Sequence, residues 1–244
     1  MDTVPTGARL LLDFIGDTEA PMGYGTIYAN KQSKLPKPLT SMTLGEVIDA
    51  QKAWSKNNGS SAAGRYQFMR ATLIDLSKAL GLSGNLIFNA DLQDRLGYEL
   101  LLRRGYSEFI AGKINSVEFG KRLAQEWASF PDLTACQGAH RTVQRGETFY
   151  AGDKLNKALV APEKVEQVLL TVRKAPDPVP APVDANKTAG MPVPPRMPAP
   201  THEPVSGGKT VAAGALGILI FVAAFWATVE GWFAHLITLI EKVF

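Results

Sequence analysis

Apolar residues recur every three or four positions along much of residues 1–173, and this spacing predicts amphipathic helices. The first helix is predicted over residues 8–17, and a second begins at Thr43, where Glu46 completes a capping-box pattern. Further helices are predicted over residues 62–80, 90–104, 116–128 and 162–173. Residues 22–39, rich in Gly, Pro, Tyr and Asn, are predicted to form a loop with short strands. The predicted fold class is therefore α+β, predominantly α.

The composition changes after residue 173. Ten of the sixteen prolines lie between Pro176 and Pro204. Because proline fixes φ and lacks a backbone N–H, residues 174–208 are predicted to form a semi-rigid, Pro-rich linker. The chain is thus predicted to contain a globular domain over residues 1–173, this linker, and an apolar tail over residues 209–244.

The tail contains a stretch of twenty uncharged residues, 210–229. Twenty helical residues span the roughly 30 Å hydrocarbon core of a bilayer, so this stretch predicts a single transmembrane helix. Residues 230–244 place apolar side chains at helical spacing between charged ones, which predicts an amphipathic C-terminal helix. Basic residues before the span outnumber those after it, which favours a cytoplasmic globular domain on insertion, although the final orientation stays open.

Charge and motif content exclude several function classes. Residues 1–173 carry 21 Lys or Arg against 18 Asp or Glu, a formal charge of +3 that is too small to predict nucleic-acid binding. Cys136 is the sole cysteine, so no intramolecular disulfide is possible. Metal-ligand, nucleotide-binding and Ser-nucleophile motifs do not occur, so neither a metal nor a cofactor is predicted. Catalysis by a carboxyl side chain is the class of mechanism that these exclusions leave.

Glu19 is the candidate acid, because it ends the apolar helix LLDFIGDTE directly before the loop APMGYGTIYAN. A carboxyl group at this junction, beside Phe14 and Ile15, is expected to be partly desolvated. Desolvation disfavours the charged form and raises the pKa, which gives an acid that can protonate a leaving oxygen near neutral pH.

Two further segments follow Glu19 and Gly23-Tyr24 in order: Ala-Gly-Arg-Tyr-Gln at 63–67 and Trp-Ala-Ser-Phe-Pro at 127–131. This combination resembles the lambda-type phage endolysins over about residues 8–143. The resemblance implies a lysozyme-like fold and makes Glu19 the catalytic general acid/base.

The resemblance and the chemistry of sugar binding together nominate a set of substrate-binding residues. Aromatic faces stack on sugar rings, and polar groups bind the N-acetyl substituents. The candidates are Tyr24, Thr26, Tyr66, Gln67, Trp127 and Ser129. For Tyr66 and Trp127, core packing and a site role are equally open, whereas Phe68, Met69 and Trp54 are predicted to be core residues.

The chain departs from the lambda-type pattern at Gly25, where that pattern has an aspartate. Asp17 is two residues from Glu19 and so points to a different side of the helix. A second catalytic carboxylate is therefore missing from the pattern, and two routes stay open. Glu19 activates either the muramic acid 6-hydroxyl, which is lytic transglycosylation, or a water molecule, for which Thr26 is a candidate partner.

The sequence therefore predicts an endolysin that cleaves the β-1,4 bond between N-acetylmuramic acid and N-acetylglucosamine in peptidoglycan and so lyses the host cell. The predicted location is the bacterial inner membrane, after synthesis in the host cytoplasm without a cleaved signal peptide. Alternatives are a non-catalytic, membrane-anchored peptidoglycan-binding protein and a chitinase-like glycosidase. The sequence leaves the oligomeric state open.

Overall fold

A computed structural model of the chain describes residues 4–153 and 156–175. Nearly all of the predicted linker 174–208, the predicted span 210–229 and the predicted amphipathic segment 230–244 lie outside the described residues. Among the residues that are described, no helix has the length and apolar character needed to cross a membrane.

The described part of the chain is predominantly helical, with one small antiparallel sheet, which confirms an α-dominated α+β fold. The helices are α1 Thr6–Glu19, α2 Leu44–Asn58, α3 Arg70–Ala79, α4 Ala90–Arg103, α5 Tyr106–Ile110, α6 Ser116–Glu126 and α7 Pro162–Lys174. The strands are β1 Cys136–Gln137 and β2 Thr142–Val143, with Cys136 opposite Val143.

Local sequence signals explain most of the helix boundaries. The predicted helices at 8–17, 90–104, 116–128 and 162–173 are confirmed, with ends that differ by one or two residues. The capping box of α2 is also confirmed: the Glu46 N–H donates to Thr43 Oγ1 at 3.2 Å, and the Thr43 N–H donates to Glu46 Oε2 at 2.7 Å.

The predicted helix over 62–80 is wrong in its first half, because α3 begins at Arg70. The preceding residues form a tight turn in which Ala63 and Phe68 exchange backbone hydrogen bonds at 3.1 and 2.8 Å. Gly64 and Gln67 have φ values of 78° and 49°, which a right-handed helix cannot contain. Gly64 also needs to lack a side chain, since a Cβ there would lie 2.9 Å from Gln93 Cδ.

Residues 22–39, all of which are described, form a loop as predicted, but they contain 3₁₀ turns instead of short strands. These turns cover Tyr28–Asn30, Gln32–Lys34 and Leu39–Ser41. The one strand-like feature of this loop is an isolated antiparallel bridge between Ile27 and Ala63. The bridge joins the loop to the turn before α3.

α1 brings Glu19 to the edge of the core. Its buried positions Ala8, Leu11, Leu12 and Ile15 follow helical spacing, and α1 packs against α4 and α7. The helix ends because Ala20 adopts φ −145° while its N–H still bonds to the Gly16 carbonyl at 2.9 Å. Glu19 is thus the last helical residue, directly before the loop.

The core is rich in aromatic rings, and this supports the predicted core role of Phe68, which is buried against Tyr66 and Phe88. Trp54 and Met69 are partly buried; Trp54 packs against the core cluster, and Met69 Sδ accepts hydrogen bonds from two serine hydroxyls. The core therefore extends directly beneath the turn that precedes α3.

Candidate active site

Glu19 lies at the C-terminus of α1 and contacts the segment Trp127–Pro131, more than a hundred residues away in sequence. The Ser129 hydroxyl donates a short hydrogen bond to Glu19 Oε1, and the Ser129 backbone N–H also hydrogen-bonds the carboxylate. Five residues earlier in α1, Phe14 packs edge-on against Phe130 with ring centroids 5.7 Å apart. Two side chains of α1 therefore hold this segment against the helix end.

The environment of Glu19 is that of an acid poised near neutral pH. Burial raises the pKa of Glu19 to about 7, while the two hydrogen bonds from Ser129 act in the opposite direction because they favour the anion. Desolvation was the physical basis on which the sequence nominated Glu19, and the geometry agrees with it. Ile15 is fully buried in the core, and Phe14 is partly buried next to Phe130. The catalytic role of Glu19 stays a prediction.

The loop after Glu19 is closed on itself by hydrogen bonds. Gly23 donates to the Ala20 carbonyl at 2.7 Å, and the Gly23 carbonyl accepts from Thr26 N and Thr26 Oγ1 at 3.2 and 2.8 Å. The Thr26 carbonyl then accepts from Gly64 N at 2.8 Å. Thr26 is buried, and its hydroxyl is engaged within the loop. We call residues 23–28 the cleft loop.

Tyr24 and Tyr66 converge on one carboxylate that the sequence analysis did not nominate. Their hydroxyls donate to Asp94 Oδ1 at 2.8 and 2.6 Å, and their rings meet edge-on at 6.5 Å. Burial and the neighbouring carboxylate raise the pKa of both phenols, which therefore remain neutral donors. Tyr24 is partly exposed, whereas Tyr66 is only 2% exposed and belongs to the core.

Trp127 is also a core residue by burial, at 4% exposed, and its Nε1–H donates to the Tyr66 carbonyl at 3.2 Å. Gln67 is partly exposed, and its amide donates to the Gly64 carbonyl at 2.8 Å. The six nominated residues therefore differ in position. Ser129 contacts Glu19. Tyr24 and Gln67 retain exposed surface, whereas Thr26, Tyr66 and Trp127 are buried. Their roles in substrate binding stay predictions.

Gln93 is a second functional candidate that sequence reasoning missed. It is fully buried on α4, and its side-chain amide donates to the carbonyls of Tyr24 at 3.1 Å and Phe88 at 3.0 Å. Its Oε1 accepts from the Arg65 backbone N–H at 2.8 Å. A signal was present in the sequence, because Gln93 falls among the apolar positions of α4. A polar residue on a buried helix face is kept there by hydrogen bonds.

Asp17 does not share a site with Glu19. It forms an ion pair with Arg65 at 2.9 Å, on the exposed side of α1, which agrees with the expectation that Asp17 points away. In the residues that the structure describes, no three His, Cys, Asp or Glu side chains come together as a potential metal site.

Comparison with known proteins adds one finding. Residues 47–152 match the Endolysin family model. The match covers less than half of the chain, from α2 to just beyond Tyr150, and includes Tyr66, Gln67, Trp127 and Ser129, while Glu19 precedes it. Neither a curated protein nor a solved structure matches the chain. The family match supports a phage endolysin with a role in peptidoglycan degradation.

Proposed function

We propose that this chain is a muramidase-type endolysin with a lysozyme-like domain. It cleaves the β-1,4 bond between N-acetylmuramic acid and N-acetylglucosamine in peptidoglycan, with Glu19 as the general acid and then the general base. The observation that carries this proposal is the state of the Glu19 carboxyl. It is hydrogen-bonded to Ser129, and burial raises the pKa of Glu19 to about 7. The endolysin match over residues 47–152 supports the substrate class.

The first step uses the protonated form of Glu19. With a pKa of about 7, roughly half of the Glu19 carboxyl groups carry a proton at neutral pH. Glu19 donates this proton to the bridging oxygen of the glycosidic bond. The bond between that oxygen and C1 of the muramic acid breaks, its electron pair leaves with the oxygen, and positive charge develops on C1.

The second step uses Glu19 as the carboxylate. A hydroxyl nucleophile attacks C1 and transfers its proton to Glu19, which restores the acid. The nucleophile is either the 6-hydroxyl of the same muramic acid, giving a 1,6-anhydro end, or water, giving a reducing end. The two Ser129 donors favour the carboxylate form and so stabilise Glu19 between the steps.

The exposure of each nominated side chain decides whether we propose that it contacts the sugar. Tyr24 and Gln67 retain exposed surface on the cleft loop and the turn before α3, and we propose that they contact the saccharide. Tyr66 and Trp127 support that surface from the core, joined by the hydrogen bond between them. Thr26 shapes the cleft loop through its bonds to Gly23.

The domain is proposed to act from the host inner membrane. Residues 210–229 would form the single span, and the Pro-rich residues 174–208 would separate it from the catalytic domain, residues 1–173. The twenty uncharged residues of the span support this part of the proposal.

The test is digestion of purified peptidoglycan by the wild type, Glu19→Gln and a control, Glu118→Gln. Gln keeps the shape of Glu19 but cannot donate or accept the proton as required, so release of soluble fragments should fall by roughly a thousandfold. Glu118 is an exposed residue of α6 paired with Arg122, and its replacement should leave activity unchanged. Retained activity in Glu19→Gln would refute the proposed role.

Two further measurements on the same material define the reaction. Mass spectrometry of the products separates the routes, because an anhydro end is lighter than a hydrated end by one water. Parallel digestion of chitin oligomers separates a muramidase from a chitinase-like enzyme. A wild-type protein that binds peptidoglycan without releasing products would instead be a binding module.

A further inference from the structure

We propose that Arg65 is a positioning residue that fixes the last turn of α1, and with it the Glu19 carboxyl, against the cleft loop. The inference rests on the proposed function of Glu19. Arg65 belongs to the turn before α3, yet its side chain reaches α1 and the cleft loop. It therefore joins the element that carries the acid to the loop that follows it.

The first contact requires a glycine in α1. Gly16 is buried, and a Cβ built on it would lie 2.6 Å from Arg65 Cγ and 2.8 Å from Arg65 Cδ, closer than carbon atoms can approach. The stem of Arg65 therefore rests directly on the α1 backbone, three residues before Glu19. The carbonyl of Gly16 accepts the Ala20 N–H that ends the helix, so Arg65 packs on the residue that closes this turn.

The guanidinium group is held by two acids on one face of α1. Arg65 Nη2 lies 2.9 Å from Asp17 Oδ1 and 3.4 Å from Asp13 Oδ1, and these acids are four residues apart. The acids are largely exposed, so each pair contributes little stability by itself. The Arg65 side chain is only 17% exposed, however, so packing fixes its geometry. No basic residue lies in the last turn of α1, so Arg65 also supplies positive charge near that helix terminus.

The remaining contacts tie Arg65 to the cleft loop and to α4. The guanidinium carbon lies 5.2 Å from the centre of the Tyr24 ring, within the range of a cation–π contact. The Arg65 backbone N–H is fixed by Gln93, which also binds the Tyr24 carbonyl. The Arg65 side chain thus contacts α1, which ends at Glu19, and the cleft loop, which follows Glu19 in the sequence.

A positioning role predicts a specific kinetic change. Misplacement of a proton donor lowers the rate of the chemical step more than substrate affinity. Arg65→Met keeps the apolar stem above Gly16 and removes the guanidinium. On soluble glycan strands, we expect kcat to fall roughly tenfold while KM stays within about twofold of wild type. Arg65→Lys, which keeps the stem and one charge, should recover part of kcat and serves as the test if Arg65→Met does not fold.

The matched control is Arg145→Met. Within the described residues, Arg145 forms ion pairs with Glu163 and Glu166 of α7 at 3.0 and 2.6 Å and donates to the Leu133 carbonyl at 2.8 Å, and none of these partners belongs to α1, the cleft loop or α4. Its replacement should lower the melting temperature without changing kcat. The proposal is overturned if Arg65→Met retains kcat within about twofold, if it changes KM alone, or if Arg145→Met loses as much kcat.

Hydrogen exchange of the Ala20 amide gives a readout that does not depend on turnover. If Arg65 fixes the last turn of α1, this amide should exchange roughly tenfold faster in Arg65→Met than in Arg145→Met. Gly16→Ala, which forces the Arg65 stem off the helix, should show the same increase. Unchanged exchange in both variants would overturn the positioning role even if Glu19 is catalytic. Activity retained by Glu19→Gln would refute the proposed function separately.

Discussion

Glu19 and Asp132 are two carboxyl groups near the segment Trp127–Pro131, and they differ in access and partners. Burial raises the pKa of both. Glu19 keeps partial exposure at a helix end and is held by Ser129. Asp132 is 1% exposed, and its oxygens have no hydrogen-bond partner among the described residues apart from the weak thiol of Cys136 beside it.

The difference shows that a raised pKa is not sufficient to identify an acid catalyst. An acid must also reach its substrate, and it needs donors that stabilise its anion after proton transfer. Glu19 meets both conditions, because its side chain keeps partial exposure and Ser129 donates to its carboxylate. Asp132 does not meet the first condition, because it is 1% exposed, and the weak Cys136 thiol is its one side-chain donor among the described residues. Its backbone pairs with Glu147 and Gly146 in the segment after the sheet.

The largest expected effect comes from changing these two carboxyl groups in parallel. Glu19→Asp keeps the acid but shortens its reach by one methylene, so kcat should fall roughly a hundredfold. Asp132→Asn should keep kcat within about twofold, since Asp132 has no role in the reaction. Release of soluble fragments from peptidoglycan measures both. A large kcat loss in Asp132→Asn, with the fold intact by circular dichroism, would show that the comparison is wrong.

A smaller effect is expected from Ser129→Ala, which removes the hydroxyl donor but keeps the backbone N–H. Because the Ser129 hydrogen bond lowers the pKa of Glu19, its loss should raise that pKa. Activity requires protonated Glu19 and falls as the pH rises through this pKa, so the alkaline limb of the pH–rate profile should move to higher pH. We expect kcat to fall roughly tenfold, because the anion loses a donor.

Ser77→Ala is the control for this experiment. The Ser77 hydroxyl donates to the Leu73 carbonyl within α3, remote in sequence from Glu19. Its loss should leave the pH–rate profile unchanged. If Ser129→Ala shifts the alkaline limb to lower pH, or does not shift it, then Ser129 does not act on Glu19 as described.

The sequence predicted the parts of the fold that depend on local signals. Apolar spacing located α1, α4, α6 and α7, and the capping box at Thr43 located the start of α2. The turn before α3 was missed because its conformation depends on distant partners. Gly64 lies against Gln93 and pairs with Thr26, and local propensity contains no information about these contacts.

The candidate site divides in the same way. Glu19 could be nominated because the end of an apolar helix is visible in the sequence, and the resemblance to a known family indicated Ser129. The sequence shows Gln93 as a polar residue among the apolar positions of α4, but the contacts of Gln93 and Asp94 with the cleft loop form only when the chain folds. In the structure, Tyr66 and Trp127 are buried, whereas Tyr24 and Gln67 are partly exposed. The sequence pattern alone could not distinguish these core residues from the exposed ones.

The most direct test of the account is titration of the Glu19 carboxyl in the folded protein, by carbon NMR with selectively labelled glutamate. Glu19→Gln assigns the resonance, because it removes that signal alone. We expect an apparent pKa of about 7, well above the ordinary value of 4.5 for a glutamate side chain. A pKa near 4.5 would mean that Glu19 is ionised at neutral pH, and it would contradict the role of Glu19 as the acid.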